Sequence, residues 1–198
     1  PDAVAVTADD PVAGRFELRD AIEGLSGRWP LTARIHTDRG TLSCELWDEV
    51  APIRVANFVG LARGLRPWKR GAEWVTEPAY QGGSFHRVIP GFMIQGGDPF
   101  GTGKGEPGYV VADEIDPSVH ADRVGLLYMA HRGRNTGGMQ FFVMDGPAPH
   151  IDGGYTAFGS CGPEDVIHDI ANAPKFGERP EPPVRIRSVE VSLAPGCD

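Results

Sequence analysis

FHRVIPGFMIQGGDPFGTGKGEPGY, residues 85–109, is the stretch on which the reading of this chain turns. An arginine, a phenylalanine, a methionine and a glutamine stand between Arg87 and Gly97, and a glycine-rich loop follows. Pro90-Gly91 is a turn signal, so SFHRVI and FMIQGG read as neighbouring strands of a hairpin. Alternation sets Arg87 with Ile89 on one face of the first strand and separates Phe92 and Ile94 from Met93 and Gln95 on the second. A face mixing Arg and Gln with Phe and Met is neither a good core nor a good solvated surface. A lone arginine with its stem lying over apolar neighbours would be the plainer explanation. NTGGMQFFV, residues 135–143, repeats the mixture with Gln140 and Phe142. Two separate strands that offer amide and aromatic side chains read as a groove.

Outward from that stretch the chain is mostly short strands. TARIHTDRGTLSCELW, residues 32–47, holds two period-2 runs around Asp38-Arg39-Gly40, a β-hairpin. APIRVANFVGLARGL spaces Val55, Phe58, Val59 and Leu61 for a helix that Gly64 ends. Residues 65–83 read as a long connection pinned by Trp68, Trp74 and Tyr80, and residues 110–122 as a solvated acidic loop. GLLYMA, QFFVMD and GYTAFGS are further strands, PEDVIHDIANAP is a second helix, and VRIRSVEVSL alternates strictly as a last strand. Residues 1–30 are expected to be a tail, loose to about residue 12, with a short accessory helix over Phe16–Leu25; residues 31–193 form one domain and 194–198 a C-terminal tail. The sum is a mainly β protein: a closed antiparallel β-barrel of about eight strands capped by two α-helices.

Composition excludes several functions. The 198 residues carry a net charge of −8, which argues against a nucleic-acid partner, since phosphate contact needs a basic face. Arg63, Arg66, Lys69 and Arg70 cluster, but Trp68 interrupts them and a solvated loop is the expectation. No apolar run approaches the ~18 residues of a membrane span. FGTGKGEPG lacks the serine or threonine that a phosphate loop needs after Lys104, and the histidines are scattered over separate segments, so neither cofactor nor metal is expected. GGSFH fails as a nucleophile elbow at its last position. Cys44, Cys161 and Cys197 are too far apart for a CxxC site; buried free thiols or one disulfide both fit.

FHRVIPGFMIQGGDPFGTGKGEPGY, LLYMAHRGRNTGGMQFFV and HIDGGYTAFG together resemble the cyclophilin family of peptidyl-prolyl cis–trans isomerases, in bacterial form, over residues 31–193. The resemblance implies an eight-stranded barrel with two capping helices. It implies a catalytic Arg87 oriented by a partner such as Gln95, and a proline pocket of Phe92, Met93, Phe142 and Ile151. Gln140 joins Gln95 as a polar groove residue, Ala130 and His131 form a backbone platform, and Thr136 shapes an adjacent pocket. Three positions depart from the common pattern: His131 for asparagine, His150 for tryptophan and Tyr155 for histidine. The second of these argues for weak cyclosporin binding. Partners implied are proline-containing peptides and folding proteins, bound by a monomer; the alternative is a peptide-binding scaffold with little catalysis. Cysteines at positions 44 and 161 recur in similar bacterial sequences, which implies a Cys44–Cys161 disulfide and favours a bacterial periplasm or envelope over the cytoplasm.

Overall fold

The computed structural model describes residues 4–195. Cys197 and the outermost residues of both expected tails lie outside that range. In chain order the strands are β1 (Val4–Val6), β2 (Arg28–Thr37), β3 (Gly40–Leu46), β4 (Trp68–Arg70), β5 (Glu73–Val75), β6 (Ser84–Phe85), β7 (Arg87–Ile89), β8 (Met93–Gly96), β9 (Tyr109–Val111), β10 (Leu126–Met129), β11 (Phe141–Met144), β12 (Ala157–Gly162), β13 (Lys175–Phe176), β14 (Arg179–Pro180) and β15 (Val184–Ala194). The helices are α1 (Leu18–Ala21), α2 (Pro52–Arg63) and α3 (Glu164–Ala171), with a 3₁₀ turn at Pro149–Ile151.

One antiparallel sheet of nine strands runs β6-β15-β2-β3-β12-β10-β11-β8-β7. Its two outermost members, β6 and β7, are halves of a single extended stretch broken at His86. β6 pairs with β15 and β7 with β8, so residues 84–89 draw the two sides of the sheet together into a nearly closed barrel. Nine strands are found where eight were expected because His86 drops out of the ladder.

The register explains the mixed composition of residues 85–97. Directly paired residues of an antiparallel sheet share a face. Val88, Ile94, Val143 and Leu127 pair in sequence across β7, β8, β11 and β10, and all four are fully buried in the barrel interior. The alternate row, Arg87–Gln95–Phe142–Tyr128, points the other way. That outer face has its own small apolar cluster, with Met93, Tyr128, Phe142, Met144 and Ile151 among its members. The stretch is therefore not a failed core strand. It serves two cores of unequal size, one inside the barrel and one beneath a groove.

Several expected loops and tails are better anchored than their sequences suggest. β1 pairs with β9, Val4 opposite Val111 and Val6 opposite Tyr109, so Val4–Val6 is a strand rather than part of a loose tail. Only four residues of the accessory helix form, with Glu17 and Asp20 closing a capping box. The 65–83 connection is pinned as expected: Trp68 is buried and its Nε1 donates to the Glu77 carbonyl at 2.9 Å, while Tyr80 packs on Phe58. It also contains the β4–β5 hairpin. Arg66 is not a solvated loop residue; it is buried and ion-paired with the buried Asp10 at 2.9 Å. The acidic loop is free surface only in part: Pro117, Ser118, His120 and Asp122 are exposed, but Glu114 is engaged. Glu114 accepts the N–H groups of Ile53 and Arg54 at 3.1 and 2.7 Å, satisfying donors at the start of α2 where Ala51 offers no side-chain cap.

Cys44 and Cys161 are bonded, and they sit directly opposite one another on the neighbouring strands β3 and β12. Among the described residues no helix is long and apolar enough to cross a membrane.

Candidate active site

The outer row opens into a groove of about 830 Å³. Its floor comes from β8 and β11: Met93 and Phe142 are 2% and 5% exposed, and Ile151 closes one end from the 3₁₀ turn. Phe142 stacks on Tyr128 at 5.3 Å and meets the edge of Tyr155 at 5.4 Å, so its ring cannot swing away. Phe92 would face the interior if it belonged to β8. It lies instead in the turn before that strand, with its N–H donating to Ile89, and lines the groove 5.3 Å from the His150 ring. His131 stacks on Tyr155 at 4.3 Å, and its Nε2 is 2.8 Å from the Gly154 carbonyl oxygen. Ala130 completes this wall.

Ten of the twelve residues expected at the site line this groove: Arg87, Phe92, Met93, Gln95, Ala130, His131, Phe142, His150, Ile151 and Tyr155. Thr136 and Gln140 line a second, smaller cavity of about 100 Å³ that shares Gln95, Ala130 and His131 with the first. Gln140 ties the two together. Its Nε2 donates to the carbonyls of Gly103 and Gly105, both at 3.1 Å, while its Oε1 accepts from Gln95 Nε2 at 3.1 Å.

The glycine-rich half of the opening stretch is a wall wrapped around one carboxylate. Asp98 is fully buried and accepts the N–H groups of Phe100, Thr102 and Gly103, together with the Thr102 hydroxyl. Burial pushes its carboxyl up, but those donors outweigh burial and hold it below the ordinary carboxylate range. A Cβ on Gly105 would collide with that carboxylate, which is why the loop needs glycine there. His86 lies beside this wall, and burial pushes its imidazole below the ordinary histidine value despite the nearby Asp98 charge.

Arg87 has a partner that was not foreseen. Its Nε donates to Glu178 Oε2 at 2.5 Å, whereas Gln95, directly opposite on β8, is engaged with Gln140. Glu178 stands in the Pro-rich link between α3 and β15, 91 residues from Arg87, and no local pattern marks it. Phe176 and Arg179, which flank it, extend the groove wall; Phe176 is 88% exposed. Among the described residues no cluster of three or more His, Cys, Asp or Glu side chains is arranged to hold a metal.

Residues 32–191 match the family model described as cyclophilin type peptidyl-prolyl cis-trans isomerase. The chain belongs to the cyclophilin family. The peptidyl-prolyl cis-trans isomerase A of Mycobacterium tuberculosis is 44% identical over 167 residues, which cover 81% of this chain and 92% of that protein. A crystal structure of a cyclophilin-type isomerase from Cryptosporidium parvum superposes with a TM-score of 0.74 at 32% identity, covering 84% of this chain and all of that one. The same Cryptosporidium cyclophilin, crystallised in the presence of the dipeptide Ala-Pro, gives a TM-score of 0.70 at 33% identity, covering 80% and 96% of the two chains. The cyclophilin assignment thus spans the whole barrel, from early in β2 to late in β15.

Proposed function

We propose that this chain accelerates cis–trans rotation about X–Pro bonds in peptides and folding proteins, with the proline ring on the Phe92, Met93, Phe142 and Ile151 floor and Arg87 beside the amide. The observation that carries this reading is the outer row of the sheet. One unbroken register sets a guanidinium, an amide and an aromatic ring, Arg87–Gln95–Phe142, side by side over an apolar floor.

The chemistry asks little else. Resonance gives the C–N bond its double-bond character and a barrier of ~18–20 kcal/mol. Unaided exchange at an X–Pro bond takes tens to hundreds of seconds. At the top of the barrier the prolyl nitrogen is pyramidal and carries a lone pair that the planar forms delocalise. A guanidinium N–H donated to that lone pair favours the twisted state over both planar ones, which is what raises a rate. Stabilising the twisted state alone by ~7 kcal/mol corresponds to ~10⁵-fold acceleration. Arg87 suits the task because its fork of donors is always charged. The buried, edge-locked Phe142 and Met93 hold the ring while the chain on one side turns. Gln95, braced by Gln140, offers polar contacts to the peptide backbone, with Ala130 and His131 as the platform for the residue before proline.

A protease-coupled assay on a proline-containing reporter peptide tests this. Wild type is expected to accelerate exchange, and Arg87→Ala to lose about 10²-fold in kcat/KM, or ~2.7 kcal/mol of transition-state stabilisation. Peptide binding with no acceleration by wild type would mean a scaffold rather than an isomerase.

A further inference from the structure

Glu178 is built into the site with more care than a surface carboxylate needs. The short hairpin of β13 and β14 turns at Gly177, whose φ of 61° suits a residue without Cβ, and brings Glu178 alongside β7. Its main-chain carbonyl accepts the N–H of Val88 at 2.7 Å, one residue from Arg87. Arg179 then clamps the far side by donating to the Gly101 carbonyl at 2.6 Å. With the hairpin tied through the Glu178 main chain on one side and the Arg179 side chain on the other, the Glu178 carboxylate reaches Arg87 Nε. Both side chains are about half exposed, at 54% and 42%, so their attraction contributes little to folding stability. What the contact does is geometric. A bond to Nε limits rotation of the guanidinium about its stem while it leaves Nη1 and Nη2 without a protein acceptor among the described residues.

We propose that Glu178 is the positioning residue of this site, holding Arg87 by Nε so that its two Nη groups remain available to the peptide. The inference rests on the role of Arg87 given above. An arginine at the end of a flexible stem must otherwise be ordered at each turnover. A guanidinium oriented beforehand avoids that cost, so the benefit appears in kcat rather than in binding.

Five proteins decide it: wild type, Glu178→Ala, Glu178→Gln, Arg87→Ala and the Arg87→Ala/Glu178→Ala double variant, each assayed for prolyl isomerisation across substrate concentration. Glu178→Ala is expected to lower kcat about tenfold with KM unchanged, and to fold normally because the Val88 and Arg179 attachments survive. Glu178→Gln keeps an amide oxygen that accepts from Nε and is expected within about threefold of wild type. In the Arg87→Ala background, removing Glu178 should change nothing further. The proposal is overturned if Glu178→Ala matches or exceeds wild type, if its loss lies only in KM, or if the same loss appears in the Arg87→Ala background. Full activity of Arg87→Ala would instead refute the role of Arg87, and the role of Glu178 with it. An inactive Arg87→Ala beside a wild-type-like Glu178→Ala refutes Glu178 alone.

Discussion

His86 divides one strand into two and sits between the glycine-rich wall and the groove, buried, with its Nδ1 lacking a hydrogen-bond partner among the described residues. Burial lowers its pKa from the ordinary value of 6.5, so the folded protein binds this proton less readily than the unfolded chain does. The contribution of neutral His86 to stability is therefore whole above about pH 6.5 and lost as pH falls from there through the lower folded value. Urea midpoints measured from pH 7.5 to pH 5 are expected to fall, and to fall less in His86→Gln; equal slopes would show that His86 does not titrate in this way. At this scale the groove was legible where chemistry forced unusual residues together. Arg87, Gln95 and Phe142 stood out because no core and no solvated face wants that mixture. Glu178 was not legible. Its carboxylate matters only because a hairpin carries it 91 residues back to Arg87, and nothing in KFGERPEPP announces a partner.

Elements with long alternation were readable in advance, and short ones were not. The β2–β3 hairpin declares itself through strict period-2 patterning around Asp38-Arg39-Gly40. β1 has three residues and finds its partner at β9, more than a hundred positions away, so its sequence has no periodicity to offer. A separation of 56 residues likewise hides Asp10 and Arg66, which read as tail and loop until folding buries them as a pair with Arg66 stacked over Tyr109 at 4.0 Å. Removing one partner strands the other as an uncompensated buried charge. Asp10→Ala is expected to destabilise the protein by about 3–5 kcal/mol in denaturant titration, with little effect on the isomerase site. A change under 1 kcal/mol would mean that Arg66 finds water or another partner when Asp10 is gone.

The whole molecule is a barrel whose ends are drawn together by residues 84–89 and which the Cys44–Cys161 bond links across β3 and β12. That bond spans 117 residues of chain, long enough for a cross-link to remove much of the freedom of the unfolded state. On a chain-entropy basis its reduction is expected to cost about 4–5 kcal/mol, seen as a lowered unfolding midpoint in dithiothreitol and in a Cys44→Ala/Cys161→Ala variant alike. Non-reducing peptide mapping should recover the two cysteines linked; free thiols at both positions would contradict the pairing. The barrel class and its capping helices could be inferred from strand spacing and family resemblance, while its closure through a strand broken at His86 could not, because a break in one ladder leaves no mark on hydrophobic alternation. What the barrel exists to present is one outward row of side chains. The most direct test of that claim is NMR exchange spectroscopy on a short Ala-Pro peptide with catalytic amounts of protein. Wild type is predicted to give cis–trans exchange cross-peaks within a mixing time of about a second, and Arg87→Ala at the same concentration to exchange about a hundredfold more slowly. Equal exchange with both proteins would contradict the account.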